Sequence, residues 1–560
     1  MLNTSETSTL SAHSRAVKAL TKHPTLHPRV ATSRAMTTMM RHGGLYSLLD
    51  TQMMTARLTA VAETLPQMLQ PHSTVSSFVA SVSASAQSFF QHLVQKPYTI
   101  HSNLMSHIAF PHEGVAYTKK SEETNPAEAA KLESPELPAA TTFIGQFIDH
   151  DLTMNAVDLF ISQDGNVQNT ASPLIDLDSV YGPRSLLNTA GSDLYEADGR
   201  TLRLQTVKTG DGNAYYDLVR DAATGEGTIS DKRNDENQMI LQVHLLLMRV
   251  HNKLAADYPA LSADELRRET ILTWQSVLVN DHLPNVLDGA TLTFLLGEIV
   301  KPDFGDFFYK PLYDLHSKTY VTSLPHEFAI AFRYGHSQLK PGYIFRAGGQ
   351  PFRLFDNTEV PAANGASTDL RGGQALPKDH VIDWNFFATT QFRGNRIDGK
   401  VTSVVFDLPE SAIPDDIKFI GNLVHRNLIR SQQIGLCSGE DLADAYGIAR
   451  LAPSDIEPHH DKRTLFEQDG AAFLTPLWYY ILREAQHHGT PTTSKLGPLG
   501  SRLVGEVVLG AIHWGDVSYF TETNNGWKSR LLQKLNGSDS AEVKFLDLAN
   551  YVGPQPAPIA

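Results

Sequence analysis

Gly145-Gln146-Phe147-Ile148-Asp149-His150-Asp151-Leu152-Thr153 is the stretch whose reading decides the fold. On an α-helix, residues three and four apart share a face, so Gln146, Asp149 and His150 would present three polar groups to one surface. Phe147 and Ile148 flank them with apolar side chains, which reads as a buried segment. A polar cluster in an apolar interior is tolerated when it is paired or coordinated. The plainer alternative is a core histidine satisfied by its neighbours, and this stretch alone leaves both open.

Three further segments add to the first. Asp231-Lys232-Arg233-Asn234-Asp235-Glu236-Asn237 leads straight into an apolar run with Leu245, Leu246, Leu247 and Met248, then His251 and Asn252. Arg233 and Glu236 stand one turn apart at its mouth; a solvated helix start, whose acidic residues suit the helix dipole, is the alternative. Glu327 to Ser337 places His336 behind the apolar run Phe328, Ala329, Ile330, Ala331, Phe332. An axial haem ligand can be housed this way. Asn427 and Arg430 lie three residues apart, and Asn427 could accept a hydrogen bond from the second ring nitrogen of His336, orienting it as a ligand's outer partner does. For both segments an ordinary core helix with a satisfied polar residue stays open.

Around these segments the pattern is helical. Glu236 to Tyr258, Ala263 to Leu283 (stopped by Pro284) and Asp415 to Ile429 read as long helices, while strand-like alternation is sparse and short. Leu45, Leu48 and Leu49, then Phe78, Val82, Phe89 and Leu93, predict two amphipathic helices. They pack on the main domain or touch a membrane surface or lipid entrance. Glu113 to Ala140, rich in Lys, Glu, Pro, Asn and Ala, reads as a surface excursion. The expected organisation is a helical extension over 1–98 and a mainly α catalytic domain with little β structure over 99–560.

Composition narrows the function classes. The 560 residues include 47 Lys plus Arg against 61 Asp plus Glu, a formal charge of -14, and no basic tract long enough to follow a phosphate backbone, so nucleic acid is not an expected partner. Cys437 is the single cysteine, which excludes an intrachain disulfide and permits a reducing compartment. Met1 to Leu20 lacks the apolar core of a secretory signal, and no run approaches the roughly 20 apolar residues of a membrane span. The expectation is a cytoplasmic or peripheral membrane protein.

The segments Gly145–Thr153, Ser172–Gly182 (SPLIDLDSVYG), Asp231–Asn237 followed by Gln242–Ala255, Ala331–Tyr343, Asp369–Gly372 and Asn427–Arg430 occur in an order and spacing that resembles the animal-type haem peroxidases. These form part of the peroxidase-cyclooxygenase superfamily, and the likeness is strongest to bacterial members. It runs over roughly residues 100 to 450. It implies haem b, with His336 as the proximal ligand, Asn427 as its orienting partner, and Arg333 and Arg430 as anchors for the propionates.

Above the iron, the resemblance implies that His150 acts as base and then acid on a bound hydrogen peroxide or organic hydroperoxide. Arg233 would stabilise the charge that develops as the peroxide bond breaks, leaving a ferryl haem. Gln146 matches the glutamine associated with halide and water. Asp149 and Glu236 match two carboxylates that can become ester-linked to haem. Asn237 stands where one mammalian member has a methionine, so the third haem link associated with chloride oxidation is not expected. Asp151, Ser172, Leu174 (through its carbonyl), Asp176 and Asp178 match a calcium site, with Asp178 where a hydroxyl residue is usual.

The implied reaction oxidises a small electron donor, halide or pseudohalide, in line with a role in the response to oxidative stress. A second branch of the superfamily inserts O2 into unsaturated fatty acids by way of a tyrosine three residues before the proximal histidine. Here that position is Arg333, while Tyr334 is two before and is expected to point elsewhere on a helix.

Overall fold

The computed structural model describes residues 88–558, apart from 113–114, 117–119, 121–125, 154–167, 170, 183–192, 315–318, 322, 356–368, 410–420 and 469–471. Leu45, Leu48, Leu49, Phe78 and Val82, the first residues of the expected N-terminal helices, lie outside the described residues, as does any membrane contact made through them.

The protein is mainly α. Four helices position the site: α1 (Ala140–Leu152), α2 (Gln238–Asp257), α3 (Ala263–Val277) and α4 (Leu423–Gln433). Each of the last three begins on a side chain that satisfies the free N–H groups of its first turn. Asn237 accepts from Met239 N (3.1 Å) and Ile240 N (3.0 Å) ahead of α2. Ser262 and Glu265 form a reciprocal capping box on α3. Asn422 accepts from His425 N at 3.0 Å on α4 and donates to Ala109 O at 2.7 Å.

Helix α1 packs on α2, and α2 on α3, through apolar faces. Phe147 of α1 meets Trp274 of α3 edge to face, ring centres 5.4 Å apart. Such a pair adds about 0.5–1.5 kcal/mol beyond its area. The strands are short; the longest antiparallel pair joins Leu204–Lys208 to Asn213–Leu218.

Three expectations are corrected. Pro284 does not stop the expected Ala263 to Leu283 helix: α3 passes through a π-turn at Leu278–His282 into Leu283–Val286. Proline is compatible with the first turn of that new segment, where a missing N–H breaks no helical bond. Glu113 to Ala140 is not wholly a surface excursion. Its described part contains a helix at Pro126–Leu132 and a strand, Glu133–Pro138, paired with Arg393–Asn395. Lys120 is fully buried, its ammonium donating to Ser337 O at 2.8 Å. Main-chain pairing holds this segment where its composition offers few large apolar side chains. Finally, the stretch expected to continue as helix through Phe89 is a strand, Ser88–Gln91, paired in parallel with Leu324–Pro325 and antiparallel with Gln168–Asn169.

Beyond that strand the chain stays bound to the body. Leu93 N and Val94 N donate to the buried carboxylate of Glu327 at 3.0 and 3.5 Å, and His92 Nδ1 lies 3.4 Å from it. Tyr98 pairs through its N–H with Leu436 O at 2.8 Å. Among the described residues no helix is long and apolar enough to cross a membrane.

Candidate active site

One cavity gathers most of the candidate residues. Gln146, Asp149 and His150 from α1 share its wall with Glu236 and Asn237 ahead of α2. Arg333, Tyr334 and His336 line it from the segment Phe332–Gln338. The space, counted together with the solvent at its open side, is about 980 Å³. The shared face expected of α1 is therefore present. The change from α-helix at His326–Ala331 to 3-10 geometry at Phe332–Gln338 brings Tyr334 to the wall together with His336, where it had been expected to point elsewhere.

The ring of His150 is held from behind. Its Nδ1 lies 2.9 Å from Asn234 Oδ1, and its Nε2 lies 3.9 Å from Glu236 Oε1. Burial first, then the nearby Arg233 charge, push the imidazole down to about 3 against Asp231 and Asn234, so the ring is neutral near pH 7. Glu236 Oε1 also accepts from Gln146 Nε2, and Asn237 Nδ2 donates to Gln146 Oε1 at 3.1 Å. Asn237 thus caps α2 with its oxygen while fixing the glutamine with its nitrogen.

Arg233 stands behind the wall rather than on it. It is fully buried, its guanidinium paired with Asp231 (Nη2 to Oδ2, 2.6 Å) and donating to His150 O at 2.7 Å. The segment around it is clamped by a neighbouring loop: Gly372 N donates to Glu236 O at 2.9 Å and Gly373 N to Asp235 O at 2.8 Å. A Cβ on Gly372 would stand 1.8 Å from Asp235 O, so the close approach requires glycine, which accounts for that part of the Asp369–Gly372 motif. Asp149 is raised by burial, while Arg333, Arg233 and Arg430 pull its carboxyl down. Arg333 lines the cavity; Arg430 is buried on α4 and acts on Asp149 through its charge.

His336 is tied in the same manner as His150. Its Nδ1 lies 3.0 Å from Asn427 Nδ2. The amide oxygen of Asn427 is buried and has no hydrogen-bond partner among the described residues. The two ends of an amide have the same shape, so turning it over lets His336 Nδ1–H donate to that oxygen and leaves Nε2 bare. Lys120, bound to the carbonyl of Ser337, braces the same turn.

A second cluster lies one residue beyond His150. The carboxylates of Asp151, Asp176 and Asp178 each offer an oxygen within 4.8 Å of the others. Ser172 joins them through Oγ to Asp176 (2.8 Å) and N to Asp178 (2.8 Å), and Leu174 is half-buried in the same loop. Leu177 takes the left-handed conformation (φ 58°), which turns the loop back so that its N–H donates to Asp151 at 3.1 Å. Burial and the Asp176 charge push the Asp151 carboxyl well above the ordinary carboxylate range.

Several residues here were not singled out from sequence. Asp231, Asn234 and His244 lie on or beside the quoted motifs, but nothing in their spacing marks them as partners of His150. Lys120 lacked even a motif.

Residues 161–369 of the chain match the animal haem peroxidase family. Myeloperoxidase of Homo sapiens is 25% identical over 199 residues, 32% of this chain and 24% of that protein. Eosinophil peroxidase of Mus musculus is 28% identical over 142 residues, 24% of this chain and 18% of that protein. The matched part is thus a quarter or less of these relatives' length. Among solved structures, peroxidase A of Dictyostelium discoideum has a TM-score of 0.48 at 15% identity, covering 84% of this chain and 95% of that one. Fatty acid alpha-dioxygenase of Arabidopsis thaliana has a TM-score of 0.46 at 12% identity, covering 91% and 95%.

Proposed function

We propose that this chain binds haem b in the cavity shared by His150 and His336 and reduces hydrogen peroxide or an organic hydroperoxide. The electrons come from a small donor, halide or pseudohalide. One observation carries the reading: two histidines from separate elements line one cavity, and each has its far nitrogen against a buried asparagine. That donor set suits the group, because a neutral imidazole oriented through Nδ1 offers Nε2 to a metal or a proton.

His336 would hold the iron, with Arg333 and Arg430 facing the propionates and Asp149 and Glu236 available for ester links. When bound, haem supplies the iron centre at which a peroxide oxygen can bind. The chain's own part is proton and charge management. The neutral Nε2 of His150 accepts a proton from the arriving peroxide and returns it to the departing oxygen. Arg233, fixed by Asp231, keeps a positive charge beside that exchange without spanning the cavity. Gln146, held by Glu236 and Asn237, presents an amide to water or halide at the wall. We further propose Ca²⁺ at Asp151, Asp176 and Asp178 with Ser172 and the Leu174 carbonyl, since clustered buried carboxylates suit a hard cation.

The test is haem-loaded protein given hydrogen peroxide with guaiacol, bromide or thiocyanate. A shift of the Soret band and donor oxidation are expected, and His336→Ala should lose the haem. A His336→Ala protein that keeps both haem and activity overturns the assignment.

A fatty-acid dioxygenase is the second reading, favoured by Tyr334 on the cavity wall and opposed by Arg333 in the position where that chemistry places its tyrosine. Oxygen uptake with linoleate or arachidonate, lost in Tyr334→Phe, would establish it in place of the first.

A further inference from the structure

Behind His150 the hydrogen bonds continue inward. Asn234 meets His150 Nδ1 with its oxygen at 2.9 Å, and its amide nitrogen lies 3.1 Å from Nδ1 of His244 on α2. All three side chains are buried, and His244 Nε2 meets no hydrogen-bond partner among the described residues. Asp231 pairs with the neighbouring Arg233 and lies close enough for its charge to favour the protonated form of both rings.

We propose that Asn234 and His244 form a positioning relay that decides which ring nitrogen of His150 carries the proton. The reasoning rests on the role given to His150 above. An amide oxygen can only accept, so Asn234 Oδ1 requires the proton of His150 on Nδ1 and leaves Nε2 bare toward the cavity. The reversed amide would donate to Nδ1 and place the proton on Nε2, where it blocks the base. After His150 takes up a proton both its nitrogens donate, and the same amide orientation still fits. One orientation therefore serves both proton states.

His244 holds that orientation. By accepting from Asn234 Nδ2 through a bare Nδ1, it places its own proton on Nε2. A reversed amide would require His244 to move its proton to Nδ1. The relay transfers no proton to solvent; it acts by alignment. His244 and Asn234 are positioning residues.

The experiment compares wild-type haem-loaded protein with His244→Leu, His244→Asn, Asn234→Asp and the double variant Asn234→Asp/His244→Leu. Three readouts are taken: the rate of the Soret change with hydrogen peroxide, the association rate of cyanide, and ¹⁵N shifts of labelled histidines. Neutral hydrogen cyanide must give up its proton on binding, so its association also senses the base. The ¹⁵N shifts separate bare from protonated ring nitrogens.

His244→Leu should slow both reactions about tenfold or more, part of the roughly 10²–10⁴-fold that a positioned base supplies. His244→Asn, which can keep an acceptor near the Nδ1 position, should recover most of the rate. A carboxylate has no donor end to misplace, so His244→Leu should cost little in the Asn234→Asp background. The ¹⁵N spectrum of wild type should show His150 protonated at Nδ1, and His244→Leu should mix the two forms.

Equal rates for His244→Leu and wild type, or equal slowing by His244→Leu in both backgrounds, overturn the relay. If His244→Leu does not fold, the His244→Asn rates and the wild-type ¹⁵N pattern decide: a bare Nδ1 on His150 refutes the proposal. A wild-type protein that binds haem yet ignores peroxide and cyanide refutes the functional reading instead, and the ¹⁵N pattern still judges the relay.

Discussion

Asn427 is the residue through which the His336 side of the cavity can be probed without touching a wall residue. Its amide lies 3.0 Å from His336 Nδ1, and it is almost fully buried on α4. Asn427→Leu fills similar space and removes the hydrogen bond, so in the ligand role proposed for His336 the imidazole would lose orientation and basicity. Loss of an outer partner of this kind costs roughly 10–100-fold in metal affinity or activity. Haem transfer from the variant to apomyoglobin should accelerate by that order; an unchanged transfer rate would show that Asn427 does not support the ligand. His336, Asn427 and their pairing were expected because their segments fall in motifs that resemble a known family, whereas each segment alone reads as well as an ordinary core helix. Asn234 and His244 were not, since an asparagine beside an arginine and a histidine within an apolar helix are ordinary until the chain brings them within 3.1 Å.

At the scale of elements, helix starts show how buried charge is tolerated. The helix Pro498–His513 has no capping side chain of its own; Glu484, on the helix Leu477–His488, accepts from Leu499 N (2.9 Å) and Gly500 N (3.0 Å). Burial pushes this carboxyl from its ordinary 4.5 up to about 7, against the pull of those two N–H groups. A carboxyl that binds its proton more tightly folded than unfolded contributes its stability below the unfolded value and loses it as pH rises through the folded one. Wild type should therefore lose on the order of 3 kcal/mol relative to Glu484→Gln as pH rises through that window, with no further divergence above it. Urea melts across the range read this, and parallel curves throughout would refute it. Element boundaries were the least legible part of the fold. Pro284 signals a stop in sequence, yet the widened π-turn at Leu278–His282 lets it begin a fresh turn. The helix expected from Asp415 to Ile429 is described from Leu423, where Asn422 provides its cap, and continues to Gln433.

For the molecule as a whole, the acidic cluster links stability to the cavity, because Asp151 directly follows His150 on α1. If Ca²⁺ binds there, removal with EGTA should lower the melting temperature and slow the peroxide response, and added Ca²⁺ should restore both. A cation at a hundredfold excess over its Kd stabilises a fold by about 2.7 kcal/mol. Identical melts with and without chelator would exclude the ion. Mainly helical architecture was legible from periodicity over the body of the chain. The burial of Lys120 was not, since composition cannot show that its ammonium is taken up by the Ser337 carbonyl.

The bonds from Leu93 and Val94 to Glu327 bear on where this protein can be shortened. A chain beginning at residue 99 would strand an enclosed anion at the head of the very helix that leads to His336, at a penalty of about 1–3 kcal/mol for each lost donor. One beginning at 88 keeps the clasp. As the start of the chain is moved from 88 to 99, binding of the proposed haem should fall once the cut passes the clasp, as the absorbance of a graded series of deletions would reveal.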